Sequence, residues 1–328
     1  MKRGDQMLGQ PFDTEATRAN RIAWMAILSL VAVDLLWLPF TKLTVAPFSL
    51  LLPLAAGAGF GALSHYYRTR RGELNLAAVL DCVGQIVAFS AAGALFSYLV
   101  VSLGMPMQDA LLYRLDLALG LDWAGWLGWM NRHAWLAPGL TFAYGSFMPQ
   151  VIALIIVLSF TGRGLAARTM IIGMILAGTV TIIVSGILPA LSTFAYLNLS
   201  PADYANLRPA AAFIHLHDLL AMHEGRPLHL DLTRAHGIIT FPSYHAALGL
   251  IMLLAGWSHP WLRWPFVLLN VAMIVATPID GGHYFVDVLA GLAIACAAHA
   301  AARRLLAPRP AASARGGAAS TVEVFAKS

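Results

Sequence analysis

Two histidines and one aspartate carry the chemistry that this sequence can offer. His283 stands in GGHYFVDVLAG (281–291), with Asp287 four residues further on. At helical spacing the two share a face, one turn apart. A carboxylate so placed accepts a hydrogen bond from one ring nitrogen, fixes the tautomer and leaves the other nitrogen nucleophilic. Gly281 and Gly282 lack side chains, so a large anionic group could come close to the helix start. Upstream, in FPSYHAA (241–247), Pro242 suits the first turn of a helix, whose free N–H groups and dipole favour phosphate. Ser243 adds a hydroxyl donor. His245, one turn deeper, could protonate a leaving oxygen while His283 attacks.

The elements that must position these residues follow from a shortage of charge. Of 328 residues, 59% are hydrophobic and 11% charged, against about 25% charged in an ordinary soluble domain. A chain of this length has too little interior to hide so much apolar surface. A soluble globular enzyme and a disordered chain are both excluded. Apolar runs near the ~20 residues needed to cross a bilayer recur at 23–41, 48–64, 76–104, 137–161, 170–197, 238–257, 262–278 and 284–305. The expected fold is an all-α polytopic transmembrane bundle of about eight spans. Its divisions are a cytoplasmic tail (1–22), N-terminal transmembrane helices (23–197), a catalytic core (198–306) and a disordered cytoplasmic tail (307–328).

The stretch 108–135 is apolar but broken by charges. Its Trp123, Trp126, Trp129 and Trp135 suit the headgroup level, so it reads as interfacial. With the N-terminus inside, 15 Lys and Arg fall on the cytoplasmic side and 6 on the other. This places both termini in the cytoplasm and the starts of the sixth and eighth spans, with both motifs, at the extracytoplasmic face of a cell membrane. The net charge of +5 forms no dense stripe outside the tails, so no nucleic-acid partner is expected. Cys82 and Cys296 lie in apolar runs and support neither disulfide nor zinc. His215-x-His217 before Asp218 lacks a matching partner, so no metal site is assigned. Asp34, Asp81, Gln85, Gln150 and Asn270 are expected to hydrogen-bond between helices. Tyr144, Ser146 and Gln150, beside Pro149, form a candidate acceptor pocket. Neither an inverted repeat nor paired broken helices mark a transporter.

FPSYHAA followed by GGHYFVDVLAG, with 38 residues from His245 to His283, resembles the second and third signatures of the type-2 phosphatidic acid phosphatase superfamily. These are membrane lipid phosphatases and phosphotransferases on a helical-bundle core related to the vanadium haloperoxidases. The FPS-x-HAA and HYFVD forms are most similar to the branch containing the fungal inositol phosphorylceramide synthases. The resemblance covers roughly 200–305. It implies that His283 forms a phosphohistidine, that Asp287 orients it, that His245 protonates the leaving alcohol and that Ser243 binds phosphoryl oxygens. It implies no cofactor and no metal. The substrate would be a phospholipid or lipid phosphate, with a lipid alcohol as acceptor.

The chain also departs from the pattern. Ala276 and Thr277 stand where the signature has Ser-Arg, and Leu219 or Pro201 where the first signature would have Lys. Some residue must still supply positive charge to the phosphoryl group. Arg226 is the first candidate, Arg208 the second and Arg234 the third, with Gly282 as a further phosphate contact. The expected activity is headgroup transfer between lipids. The alternatives are a lipid phosphate phosphatase and a catalytically silent lipid-binding protein, the missing arginine being the support for the latter.

Overall fold

A computed structural model describes residues 10–209 and 211–308. Most of the tail expected from 307 onward, and the start of the N-terminal tail, lie outside the described residues. The described residues are 76% helical. In order the helices are α1 (Gln10–Trp37), α2 (Pro47–Tyr66), α3 (Leu74–Val101), α4 (Asp109–Ala118), α5 (Trp123–Arg132), α6 (Ala137–Gly145), α7 (Phe147–Phe160), α8 (Gly164–Ile187), α9 (Thr193–Tyr196), α10 (Leu216–His223), α11 (Tyr244–Trp257), α12 (Pro260–Asp280) and α13 (Phe285–Leu306).

Among the described residues, six helices are long and apolar enough to cross a bilayer: α1, α2, α3, α8, α12 and α13. The chain is thus an all-α polytopic membrane protein. Its other two apolar runs fold differently from the plain spans expected at 137–161 and 238–257. The first is two helices, α6 and α7, bent by 52° at a break, with Ser146 between them. The second becomes helical only at Tyr244, after the Ser243 cap, so α11 has 14 residues. At 1.5 Å per residue that is about 21 Å, short of a ~30 Å hydrocarbon core.

Small residues let the spans approach closely, as is usual where lipid offers no hydrophobic drive to pack. A Cβ on Gly57 of α2 would lie 2.8 Å from the Gly84 carbonyl of α3, and one on Gly84 would lie 2.8 Å from the Gly57 carbonyl. Polar pairs add to this. Asp81 of α3 accepts from Arg68 and, at 2.6 Å, from Asn20 of α1, which accepts in turn from Gln85 at 3.1 Å. Asn270 of α12 donates to Gln150 of α7 at 2.8 Å. Asp34 departs from the expected interhelical bonding: both carboxylate oxygens are buried without a partner among the described residues.

Outside the bundle, strands β1 (Leu43–Val45) and β2 (Leu228–Leu230) pair in parallel. Ala46 N–H donates to the Leu230 carbonyl at 2.9 Å, and Leu232 N–H to Ser49 Oγ at 3.0 Å. The segment leading into α11 is therefore clasped to the start of α2.

The α2–α3 crossing is testable. Gly84→Leu forces two backbones apart and should cost about 1–3 kcal/mol. Gly59→Leu, with nothing within 4 Å of its Cβ position, should cost well under that. Thermal unfolding in detergent measures both, and equal midpoints would refute the close crossing.

Candidate active site

His283 lies in the four-residue link between α12 and α13, not on the helix. The meeting with Asp287 comes from capping rather than from helical periodicity. Asp287, third residue of α13, reaches back to accept from the Tyr284 N–H at 2.9 Å, and the same Oδ2 lies 3.3 Å from His283 Nδ1. Asp287 is fully buried and His283 nearly so. Burial pushes the His283 imidazole down to about 4, while a hydrogen bond with the Thr240 backbone acts in the opposite sense. The ring is therefore neutral at physiological pH, the state a nitrogen nucleophile requires.

The link is held from four sides. Asp116 of α4 accepts from the N–H groups of Phe285 at 2.9 Å and Val286 at 2.8 Å. Asp109, which opens α4, accepts from the Tyr284 hydroxyl at 2.8 Å and from the Leu191 N–H at 3.0 Å. Burial raises both carboxyls above the ordinary range, and the donors they face oppose that shift. The Gly282 carbonyl accepts from the backbone N–H and the hydroxyl of Thr193 at 3.0 and 3.1 Å. Trp123 Nε1 donates to the His283 carbonyl at 3.1 Å. The 108–135 stretch is thus part of the site's foundation. Trp123 is fully buried, whereas Trp135 is 76% exposed, so the headgroup-level reading fails for Trp123.

His245 is the second residue of α11. Pro242 lies ahead of the cap rather than in the first turn, because Ser243 takes the cap position and its Oγ accepts from the Ala246 N–H at 3.3 Å. The Ser243 N–H donates to the Asp287 carbonyl at 3.0 Å, and a methyl group at Gly291 would overlap the Ser243 carbonyl oxygen. The two motifs are locked backbone to backbone. The Tyr144 ring stacks on His245 at 4.2 Å, its hydroxyl is 3.4 Å from His245 Nδ1, and Phe147 meets the ring edge-on at 5.3 Å. A Cβ on Gly281 would fall 2.6 Å from His283 Cδ2 and 2.8 Å from the Tyr144 hydroxyl. Gly281 is thus the point where the surroundings of the two histidines meet.

The remaining candidates divide. Gly282, at φ +67°, has Ser192 and Ala212 at 3.1 and 3.2 Å from its Cβ position, so its bareness serves packing. Arg226 is exposed and pairs with Glu224 at 2.8 Å, and Arg234 is exposed too. Arg208 is exposed but lines a small depression with Thr141, Ala276 and Asp280, the last directly before Gly281. His215 is buried, with its ring nitrogens 3.2 and 2.9 Å from the carbonyls of Ala211 and Leu191. His217 points out to pair with Asp218 at 3.0 Å, so the two histidines do not converge.

Sequence reading missed Asp109, Asp116, Trp123 and Tyr284. The available signal was five charged residues, Asp109, Arg114, Asp116, Asp122 and Arg132, interrupting an apolar stretch, which are costly unless paired. Asp116→Ala should leave the buried Val286 N–H and the partly buried Phe285 N–H without their acceptor and cost about 1–3 kcal/mol for the buried one, measured as lost thermal stability in detergent. An unchanged midpoint would show that the Asp116 contacts contribute nothing.

No curated protein and no solved structure matches the chain. One family model, described as the PAP2 superfamily, matches residues 110–301. That is more than half of the chain and takes in Asp116, Tyr144, Ser243, His245, His283 and Asp287. It begins well upstream of the roughly 200–305 over which the sequence motifs alone carry a resemblance. A site built from a buried His–Asp pair beside a second histidine, inside the matched stretch of a polytopic helical bundle, leads to one assignment: the chain belongs to the PAP2 superfamily.

Proposed function

We propose that this member of a lipid phosphoester enzyme superfamily transfers a phosphoryl-bearing headgroup between lipids through a phosphohistidine on His283. The observation that carries this is the His283 Nδ1 to Asp287 Oδ2 contact at 3.3 Å in a buried link next to His245. Asp287 holds Nδ1, so Nε2 attacks phosphorus as the bond to the leaving lipid alcohol breaks. His245 gives its proton to that oxygen. An acceptor hydroxyl then attacks phosphorus, the P–N bond breaks and the proton returns to His245. Positioned donors stabilise the charge on the phosphoryl oxygens, so the reading calls on no metal ion. The Ser243 hydroxyl is one donor. Arg208 is the better-placed cation, because it borders Ala276 and Asp280 while Arg226 is paired elsewhere.

Burial of the nucleophile supports a lipid alcohol over bulk water as acceptor. The FPS-x-HAA and HYFVD forms support the inositol phosphorylceramide synthase-like branch. The 15-to-6 division of basic residues supports cytoplasmic termini and a site opening to the extracytoplasmic face of a cell membrane. Lipid phosphate hydrolysis would use the same residues with water as acceptor.

Incubation with labelled phospholipids, with and without a lipid alcohol, separates these readings. A new phosphodiester lipid is the expected product, and free phosphate alone would assign the phosphatase. His283→Ala and His245→Ala should each reduce turnover about 10²–10⁴-fold, Asp287→Asn less than His283→Ala, and a chelator not at all. Unchanged turnover in either histidine variant would refute the mechanism. Arg208→Gln should raise KM more than Arg226→Gln does, and the reverse order would return the clamp to Arg226.

A further inference from the structure

The starts of α11 and α13 carry the two histidine motifs. At the opposite end of the bundle the same two helices and α8 leave a cleft of about 290 Å³ between them. Its inner part is apolar, with Met170 of α8 and Ile251 and Leu254 of α11, and its rim is polar, with Ser258, His299 and Arg303. From Ile251 to Ser258 is about 10 Å along the helix axis, well within one leaflet of a ~30 Å hydrocarbon core. Trp257 and Trp264 are exposed beside the rim, as suits the headgroup level. No acid lines the cleft. His299 and Arg303, four apart on α13, therefore set two basic groups on one face with no carboxylate in the lining to balance them. His299 Nδ1 is buried without a hydrogen-bond partner among the described residues. Just past Ser258, His259 Nδ1 and Arg263 Nε are buried and unpartnered in the same way, and Arg263 lies over the Trp257 ring at 4.6 Å.

We propose that this cleft binds an anionic phospholipid of the adjoining leaflet, with the headgroup phosphate at Arg303 and His299 and the start of one acyl chain along Leu254, Ile251 and Met170. The two halves of the lining call for different parts of one molecule. A free anion would satisfy the basic rim and leave the apolar interior to water, whereas a chain buries that interior. A zwitterionic headgroup brings no net charge to a rim that holds no acid. Basic pockets between spans take anionic headgroups in this manner. On the proposed topology the leaflet is the cytoplasmic one, whose surface is negative. A lipid seated here touches α8, α11 and α13 together. By mass action it stabilises the packed state of the helices that carry His245 and Asp287.

Titration of the full chain in detergent with phosphatidylglycerol or with phosphatidylcholine of the same chain length tests this. Phosphatidylglycerol should stay bound in native mass spectra and raise the thermal midpoint, and phosphatidylcholine should do neither. Arg303→Gln should weaken phosphatidylglycerol binding about fivefold, the worth of one basic residue against an anionic headgroup. Arg304→Gln removes the same charge from the same helix end at a residue that does not line the cleft, and should change binding far less. Equal losses in the two variants, or equal retention of the two lipids, would overturn the site in favour of general attraction to a basic surface. An equal rise in midpoint with inorganic phosphate alone would overturn it in favour of a soluble anion. Should Arg303→Gln fail to fold, phosphatidylglycerol with a photoreactive diazirine in its chain serves on the wild-type protein. Labelling at Met170, Ile251 or Leu254 supports the proposal, and labelling confined to other positions overturns it. None of these readouts depends on turnover, so their failure would leave the phosphohistidine reading untouched.

Discussion

A carboxylate buried in a helical bundle needs donors, and the backbone of a bundle offers unpaired N–H groups only where helices begin. That constraint organises the candidate active-site end of this protein. Asp287 and Asp116 take the Tyr284, Phe285 and Val286 N–H groups at the start of α13, and Asp109 ties the Tyr284 side chain to residue 191. The helix dipole favours negative charge at this position, so the acids are held where the backbone can best support them. Everything near His283 depends on this arrangement: the link's path, the depth of the ring and the orientation of Nδ1.

One result is a division of labour between two helix starts. The leading N–H groups of α13 are occupied by the protein's own carboxylates and are closed to a substrate anion. On the proposed function, phosphate affinity would then fall to Ser243 at the start of α11 and to side-chain cations. The two histidines divide along the same line. His283 has a carboxylate at its Nδ1, whereas His245 on α11 is packed between the face of Tyr144 and the edge of Phe147.

Much of this was legible in the sequence because it is local. The His283–Asp287 pairing, the FPSYH and GGHYFVD motifs and the apolar runs each involve residues a few positions apart, and the composition alone demanded a bilayer. What sequence could not display is long-range pairing. Asp116 meets Phe285 across 169 positions and Trp123 meets His283 across 160, and no periodicity records such contacts. Apolar runs were also read as uniform spans, although the bend at Ser146 and the late start of α11 follow from caps and turns that hydropathy averages away. Gly282 illustrates a different gap, because a bare backbone can serve a ligand or a neighbouring helix, and only the neighbours decide which.

The small parallel clasp of β1 on β2 joins the chain's first extracytoplasmic turn, on the proposed topology, to the segment that delivers Ser243 and His245. It crosses the division at 198 drawn from hydropathy and lies partly outside the stretch matched to the family. The first three helices are in that sense more than a membrane anchor, since one edge of the approach to the candidate site is stitched to them. Grafting the second half of this chain onto another set of leading helices would need a matching strand as well as matching hydrophobicity.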